Sequence, residues 1–552
     1  MSTSSNKRKR LDPWDEASKW IRTEGGFIHD SITFSSSERI IKVISSEISS
    51  GTVIMKIPSH ALVTLSTVEK VSILGSRLFH LIHSIDEMKL HHSKNDILLA
   101  LYLAFVSTCP KDSDRVEVEE EVEVGIKIKT NDNDHDSREK NKSDESYKGT
   151  KFYLATLPDY ESYDNLPRRW TEERLRQYLS GTMLLERIQR EKSGLKNDYD
   201  LLFHAAQKHE TDNLSKLLLP FPSFDLFDQM LSAVASRAFD SLGDDNLEAM
   251  VPLLDLFNHK RGTAGTSDIS YRRSDDDGSI IVTARCDLNI GSTPGITYGA
   301  KGNAQLLERY GFTLANNIEP DGSSNDIMYF EVKSNVIVQL RRGGKSYTYG
   351  SLVKVLESYI NEDNDTSISN CGSEELGMED FLNACEQEND DFNDVTCLYN
   401  SEIRVQSSDF INSSSNNDND IDIEIQAIDA FILAIHKARD KYKYKWNKEN
   451  LHKALKSENM QSSEHFSALL VYSEIQTLDF YEMSVRLIQY VLEKKKPEVP
   501  CFQAEYLSLL KEDKRYEYID LKEKYGEVEG ELVERQAVEL VNTFLQIRHG
   551  WC

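Results

Sequence analysis

The sequence predicts an α+β fold, in which a β-rich part with a helical insert is followed by an all-α part. Short β-branched runs stand next to a turn residue, Gly51, in RIIKVISSEISSGTVIMKIP. Beyond residue 425, apolar residues recur at spacings of three and four, which is typical of helices that bury one face. With 552 residues the chain is long enough for two or three domains.

Shifts in composition predict the domain boundaries. Residues 1–13 form a basic, disordered tail, and residues 14–340 form the β-rich domain with its helical insert. A charged, low-complexity stretch at about 110–147 is expected to be a disordered loop in that domain. Residues 345–552 form the helical domain, which contains a disordered acidic insert at about 361–425.

Charge is distributed unevenly along the chain. The formal net charge is −27, and residues 361–425 contribute about −17 of it, with eighteen acidic residues against Arg404 alone. Because the excess lies in a solvated segment and a basic footprint is missing, we expect no nucleic-acid partner. Lys7-Arg8-Lys9-Arg10 is either a nuclear localisation signal or a solvated basic terminus.

Membrane and disulfide classes are disfavoured. No run of eighteen uncharged apolar residues and no signal-peptide pattern occur, so we expect no membrane association. Seven cysteines without a C-x-x-C pair indicate reduced thiols, in a cytoplasmic or nuclear protein.

Four histidines raise the question of a metal site: His80, His83, His91 and His92. No cysteine or spaced acidic pair near them completes a ligand set. We therefore expect surface or linker histidines, and no metal.

Local patterns predict several elements. The segment from Trp14 to Thr64 is expected to be β-rich, with the runs around Gly51 and before Pro58 paired as a hairpin. Thr67 to Val106 is expected to be helical, with DILLALYLAFV buried.

The segment VPLLDLFNHK, followed by SIIVTARCDL and then GITYGAKGNAQLLERYGF, places polar residues in apolar contexts. Such residues are costly unless paired, so they indicate a site. Taken alone, Asp255 and Asn258 could cap a helix or close a turn, and Tyr298 and Tyr310 could be core aromatics.

In this order, the two motifs resemble those of the SET-domain protein methyltransferases, in the branch typified by the Rubisco large-subunit lysine methyltransferase. That branch includes enzymes for non-histone lysines and for actin histidine. The pattern P-x-x-D-x-x-N-H, a strand ending in Tyr-Gly, and N-x-x-L-L-x-x-Y-G-F is matched by Pro252, Asp255, Asn258, His259, Tyr298, Gly299, Asn303, Leu306, Leu307, Tyr310, Gly311 and Phe312.

The resemblance implies a SET domain with a pseudoknot and a helical insert, followed by an all-α substrate-binding domain. It also implies an S-adenosyl-L-methionine (AdoMet)-dependent methyltransferase with a protein substrate, expected to be a monomer. Tyr298 takes the place of the catalytic tyrosine. The cofactor-binding positions carried over are Glu38, Ile40, Arg237, Asn258, His259 and Tyr310.

Three further positions are assigned by resemblance to the substrate channel: Phe239, Leu254 and Tyr271. The histidine-methylating branch carries Asn and Trp where this chain has Phe239 and Leu254. Two apolar residues match the lysine-directed members, so the resemblance favours lysine over histidine.

Two departures from the family pattern bear on activity. Ile41 replaces a glycine, so we expect its side chain to crowd the cofactor. Pro294-Gly295 interrupts the strand that should deliver Tyr298. A SET-fold binding module without catalysis therefore stays the alternative to an active enzyme.

Overall fold

The computed structural model describes most of the chain, in residues 12–36, 39–71, 73–108, 150–208, 218, 220–243, 248–260, 267–319, 322–333, 336–343, 345–360, 418–443, 445–494, 511–513 and 519–549. The predicted tail up to residue 11, the predicted loop at 110–147 and the acidic insert up to residue 417 lie outside the described residues.

The chain divides into two compact units. The first comprises Met1–Asp164 and Gln189–Gly299, and the second comprises Asn165–Ile188 and Ala300–Cys552. The domain boundary that the sequence indicates near residues 340–345 stays a prediction.

Helices and strands are mixed, in line with the predicted α+β class. The described helices are α1 Pro13–Thr23, α2 Leu65–Val71, α3 Ile73–His83, α4 Lys94–Thr108, α5 Glu172–Leu179, α6 Leu184–Lys208, α7 Phe224–Arg237, α8 Asn303–Tyr310, α9 Lys345–Ile360, α10 Asp418–Tyr442, α11 Lys448–Leu455, α12 Ser463–Lys494, α13 Leu521–Tyr525 and α14 Glu527–His549. The described strands are β1 Phe27–Ile28, β2 Ile32–Ser35, β3 Ile40–Val43, β4 Val53–Ile57, β5 Val63–Thr64, β6 Ala238–Phe239, β7 Ala249–Met250, β8 Ile269–Arg273, β9 Ile280–Ala284, β10 Ile327–Lys333 and β11 Val336–Arg341.

Small antiparallel sheets form the scaffold of the first unit. One has the strand order β1-β4-β9-β8, another the order β5-β7-β6, and β2 pairs with β3. Along β9 the burial alternates, with Ile280, Val282 and Ala284 buried and the residues between them half-exposed. This period of two matches the pleat of a strand with one face on the core.

The predicted hairpin around Gly51 is wrong. β3 pairs with β2, in the register Ile32↔Val43, while β4 pairs with β1 and β9. Gly51 does lie in a turn with φ of +83°, a conformation that glycine adopts without strain. The residues around Gly51 are sufficient to predict the turn, whereas β9, one of the two partners of β4, comes from a distant segment.

The expectation of a β-rich start at Trp14 is also wrong for its first residues. Helix α1 begins at Pro13, and the Asp12 side chain caps it by accepting from the Trp14 N–H. Trp14, Ala17 and Ile21 are buried, at the spacing of one helix face. The segment is helical because cap, proline and apolar spacing agree.

The buried helix predicted at DILLALYLAFV is confirmed. In α4 every residue from Ile97 to Val106 is buried, so this helix is apolar on all sides. Thr171 caps α5 by accepting from the Arg174 N–H at 3.2 Å.

The second unit is mainly helical, with one hairpin of β10 and β11. Helix α12 is buried along most of its 32 residues. Helix α10 begins at Asp418, so residues 418–425 are helical and not part of a disordered insert. Their apolar positions include Ile421 and Ile425, which pack against the core of this unit.

Among the described residues, none of the helices combines the length and apolarity that crossing a membrane would need.

Candidate active site

Arg237, Asp255 and Tyr153 form a buried polar cluster in the first unit. Arg237 is the last residue of α7, and its Nη1 donates to the Asp255 backbone carbonyl at 2.8 Å and to the Asp255 carboxylate at 3.3 Å. The Tyr153 hydroxyl donates to the same carboxylate at 3.0 Å. Asp255 thereby joins three separate segments of the chain.

Burial sets the protonation of this cluster. Burial raises the pKa of Tyr153 well above its usual range, and the nearby Asp255 carboxylate raises it further. Tyr153 is therefore a neutral hydrogen-bond donor at physiological pH. Among the described residues, Nε of Arg237 and Oδ1 of Asp255 are buried without a hydrogen-bond partner.

A strained residue starts the Asp255 segment. Leu253 has φ of 68°, an unusual conformation for a leucine, and its side chain is fully buried. Such strain costs about 1–3 kcal/mol and persists only where packing enforces it. It begins the short 3₁₀ helix Leu254–Leu256, which presents Asp255 to Arg237.

Tyr298 is fixed at two points. Its hydroxyl donates to the Phe257 carbonyl at 2.9 Å, and its backbone N–H donates to Nδ1 of His259 at 3.0 Å. The ring centroids of Tyr298 and His259 lie 5.0 Å apart. Since Nδ1 accepts, the ring hydrogen of a neutral His259 is on Nε2.

Burial raises the pKa of Tyr298 to about 12; Arg237 opposes this shift, and Asp255 adds to it. Tyr298 therefore stays protonated across the physiological range. Its hydroxyl hydrogen is donated to the Phe257 carbonyl, and a phenolic oxygen can also accept hydrogen bonds.

The two motif segments pair directly. His259 forms an isolated parallel bridge with Ile296, in which the Ile296 N–H donates to Asn258 and the Lys260 N–H donates to Ile296. The Gly295 N–H donates to the Asp268 carboxylate at 3.0 Å, and Lys260 forms an ion pair with the same carboxylate. These contacts bring Tyr298 next to His259.

Gly295 explains how the interrupted strand is accommodated. A Cβ at this position would lie 3.0 Å from the Asn258 carbonyl oxygen and 3.0 Å from Cβ of Lys260. Glycine therefore allows the two segments to approach closely. Pro294 precedes this contact and is buried, and Ile296 forms an isolated bridge instead of a regular strand.

Asn258 is exposed, and its side-chain amide donates to the Arg39 carbonyl at 3.4 Å. Arg39 has φ of 54°, and Ile40 follows as the first residue of β3. The predicted cofactor positions Ile40 and Asn258 therefore lie on adjoining segments. Glu38 lies outside the described residues.

Ile41 does not crowd this surface. Its side chain is 2% exposed and belongs to the core of the first unit. In β3, Ile40 is half-buried and Ile41 is buried, as the alternation of a strand requires.

Three half-buried aromatics pack against the same core: Phe239, Tyr271 and Tyr298. Phe239 and Tyr271 meet edge to face, with ring centroids 5.2 Å apart. Leu254 is fully buried in that core. Phe239 and Tyr271, two of the predicted channel residues, thus form an apolar patch on the core against which Tyr298 also packs. The third predicted channel residue, Leu254, lies beneath the surface.

Tyr310 belongs to the second unit, where it is the last residue of α8 and is half-buried. Asn303 begins this helix and is buried, with its amide oxygen accepting from the Leu314 N–H at 2.8 Å and its own N–H donating to Asp326 at 2.6 Å. Asn303 therefore has a structural role in holding the start of α8.

Sequence reasoning missed Tyr153. This residue lies 102 positions before Asp255, in a segment without a polar motif of its own. The available signal was indirect, because a buried Asp255 needs more than one partner.

No family model matches the sequence, and no curated protein matches it. Solved structures that resemble the fold include the SET domain of LSMT bound to lysine and AdoHcy, and the same domain bound to methyllysine and AdoHcy. Each match covers 91% of this chain and 100% of the solved chain. The TM-scores are 0.52 for the lysine complex and 0.55 for the methyllysine complex, and the sequence identities are 15% and 16%. The chain therefore has the fold of the LSMT SET domain.

Proposed function

We propose that this protein is an AdoMet-dependent protein-lysine N-methyltransferase that acts on a non-histone protein. The observation that carries the proposal is the double anchoring of Tyr298, whose hydroxyl is bound to Phe257 and whose backbone is bound to His259. A tyrosine fixed in this way, in a SET-domain fold, is suited to orient a nucleophile.

The residues present fit AdoMet. When bound, this cofactor supplies an electrophilic methyl carbon on a positively charged sulfonium. Arg237 keeps a buried N–H donor without a partner among the described residues, which suits a ligand carboxylate. Asn258 is exposed beside the Arg39–Ile40 turn, where its amide can contact a polar ligand. Tyr310 stays a predicted cofactor contact.

Tyr298 would act by position and not by proton transfer. Its pKa of about 12 keeps the hydroxyl protonated, and the oxygen lone pairs can accept a hydrogen bond from an amine. Holding the amine in line with the methyl carbon removes much of the entropic cost of the reaction.

The aromatic patch favours a lysine substrate. Phe239 and Tyr271 are in edge-to-face contact and offer a joint apolar surface, so a lysine side chain packed against them would lose water. Desolvation lowers the pKa of an amine, which supplies the uncharged nucleophile. Aromatic faces also attract the cationic methylated product.

Product analysis tests the proposal. The purified chain is incubated with methyl-labelled AdoMet and an extract from cells lacking this protein, and the labelled proteins are hydrolysed to amino acids. We expect label in methyllysine. Label in methylhistidine would support the histidine alternative, and an absence of labelled protein would contradict both.

A second candidate is a SET-fold binding module without catalysis. The observation that favours it is the break at Pro294 and Gly295, since Tyr298 follows an isolated bridge at Ile296 and not a regular strand. Calorimetric titration with AdoMet separates the candidates when combined with the transfer assay. Tight binding without any methyl transfer would favour the module.

The second unit is proposed to bind the protein substrate. A groove of about 650 Å³ is lined by Met328 and Phe330 of β10 and by Leu433 and Lys437 of α10. Leu433 is 55% exposed and Ile423, which also lines the groove, is 43% exposed, so the groove presents an apolar patch to a partner. Leu433→Glu is expected to raise KM for the protein substrate while leaving AdoMet affinity unchanged. An unchanged KM would contradict this assignment.

A further inference from the structure

Four polar side chains converge in the first unit, between helix α6 and the segment that precedes α4. His91 and His92 come from the segment, and Glu191 and Asp198 come from the helix. The His91 and His92 side chains are 13% and 14% exposed, and Glu191 is 22% exposed. One ligand atom from each of His91, His92 and Glu191 lies within 4.8 Å of the other two.

Asp198 holds the backbone of both histidines and orients the His92 imidazole. Its carboxylate is fully buried and accepts from the backbone N–H groups of His91 at 2.8 Å and His92 at 2.9 Å. It also lies 2.8 Å from Nδ1 of His92. Because a carboxylate accepts, Nδ1 of His92 carries a hydrogen, and the opposite nitrogen, Nε2, points to Glu191. A carboxylate behind a histidine is the arrangement that orients metal-bound imidazoles.

Glu191 faces both imidazoles at once. One of its oxygens lies 2.9 Å from Nε2 of His91, and the other lies 3.0 Å from Nε2 of His92. In a tetrahedral site with bonds of about 2.1 Å, neighbouring ligand atoms are about 3.4 Å apart. The contacts of Glu191 with the two imidazoles would need to lengthen by only a few tenths of an ångström for an ion to lie between them.

Gly194 makes room for this arrangement. A Cβ at Gly194 would lie 2.1 Å from Cγ and 2.4 Å from Cδ2 of His91. A glycine inside a helix costs about 1 kcal/mol relative to alanine. Here it lets the His91 ring lie against the helix backbone, one turn beyond Glu191.

We propose that His91, His92 and Glu191 bind a divalent transition-metal ion, with Asp198 holding His92 in the ligating orientation. Two neutral imidazoles and one carboxylate suit Zn²⁺ and its borderline neighbours, and water would complete a fourth position. The ion would join the start of α4 to α6 and stabilise the folded first unit. The proposal is independent of the methyltransferase function.

The competing account is a metal-free ion cluster. Burial alone would lower the pKa of His92, but the Glu191 and Asp198 carboxylates outweigh it and raise this pKa to about 10. In that account an imidazolium at His92 donates to both carboxylates, and added zinc finds no site.

Zinc binding to the full chain, stripped with a chelator and then dialysed, tests the proposal. Calorimetry is expected to show one tight equivalent of Zn²⁺ in the wild type, and Co²⁺ is expected to give the visible absorption of a four-coordinate site. Glu191→Gln should weaken this equivalent at least tenfold. His80→Ala, which removes an exposed histidine of α3, should leave it unchanged.

A second variant distinguishes the loss of the zinc site from a folding defect in Glu191→Gln. Gly194→Ala keeps all three ligands but displaces the His91 ring, so it should weaken zinc binding as well. Zinc should raise the thermal midpoint of the wild type and of His80→Ala, and not that of Glu191→Gln or Gly194→Ala. Equal zinc affinity and equal thermal shifts in the wild type and Glu191→Gln would overturn the proposal.

Discussion

The Arg237 guanidinium donates to both the backbone carbonyl and the carboxylate of Asp255. This pair ties the end of α7 to the strained 3₁₀ turn that begins after Leu253. Breaking a buried pair by removing one partner leaves an uncompensated charge, which costs about 3–5 kcal/mol. The contact therefore fixes the local geometry on which the proposed cofactor site depends.

Tyr153→Phe is expected to destabilise the protein, because Asp255 loses the hydroxyl donor at 3.0 Å. Hydrogen bonds to charged groups contribute about 1.5–3 kcal/mol, more than neutral ones. Tyr199→Phe is the matched control, since its hydroxyl donates to the neutral carbonyl of Pro222 at 2.9 Å. Urea unfolding should show the larger loss for Tyr153→Phe, and equal losses would contradict the assigned role of Asp255.

Arg237→Lys is expected to weaken AdoMet binding at least tenfold. Lysine keeps the positive charge but cannot satisfy Asp255 and a ligand carboxylate with one planar group. Calorimetric titration measures the effect. Arg272→Lys, on the exposed side of β8, serves as the control and should bind AdoMet as the wild type does. Unchanged affinity in Arg237→Lys would remove Arg237 from the cofactor site.

Gly295→Ala is expected to perturb the junction between the two motif segments. The new Cβ would press on the Asn258 carbonyl at 3.0 Å, and overpacking of this kind costs about 1–3 kcal/mol. We predict a lower thermal midpoint together with weaker AdoMet binding. A variant that matches the wild type in both measurements would show that close approach at Gly295 is unimportant.

Glu474 is expected to make stability depend on pH. This buried residue of α12 accepts from the Tyr442 hydroxyl at 2.7 Å, and burial raises its pKa from 4.5 to about 8. Because the folded state binds the Glu474 proton more tightly than the unfolded state, this residue adds to the free energy of unfolding most fully below pH 4.5. The contribution is lost as the pH rises to about 8.

The thermal midpoint of the wild type should therefore fall relative to that of Glu474→Gln between pH 5 and 8. The matching difference in the free energy of unfolding changes by at most about 1.4 kcal/mol per pH unit and levels off above pH 8. Glu458→Gln, at an exposed position, controls for the loss of one charge. Parallel curves for wild type and Glu474→Gln would contradict the prediction.

Local patterns in the sequence carried most of what could be predicted. The sequence motifs around Asp255–His259 and around Tyr298 predicted one common site, and the structure brings His259 and Tyr298 into contact. The buried helix α4 was readable because its apolar run is long. Helix α1 was predicted wrongly as β-rich because of the β-branched residues downstream, although Asp12, Pro13 and the spacing of Trp14 and Ile21 favour a helix.

Contacts between distant segments could not be predicted. Glu191 lies 100 positions from His91, so no ligand spacing connects the two in the sequence. The same holds for Tyr153 and Asp255, and for β4, which pairs with β9 and not with its neighbour β3. Strand partners depend on long-range packing, and local propensity does not encode it.

The central claim is that Tyr298 orients the nucleophile in a methyl transfer. It is tested most directly by the single-turnover rate of transfer to the protein substrate at saturating AdoMet. Tyr298→Phe should lower this rate at least about 100-fold while AdoMet affinity stays within threefold, because positioning is lost and binding is kept. Tyr199→Phe should match the wild type. Transfer by Tyr298→Phe at the wild-type rate would contradict the account.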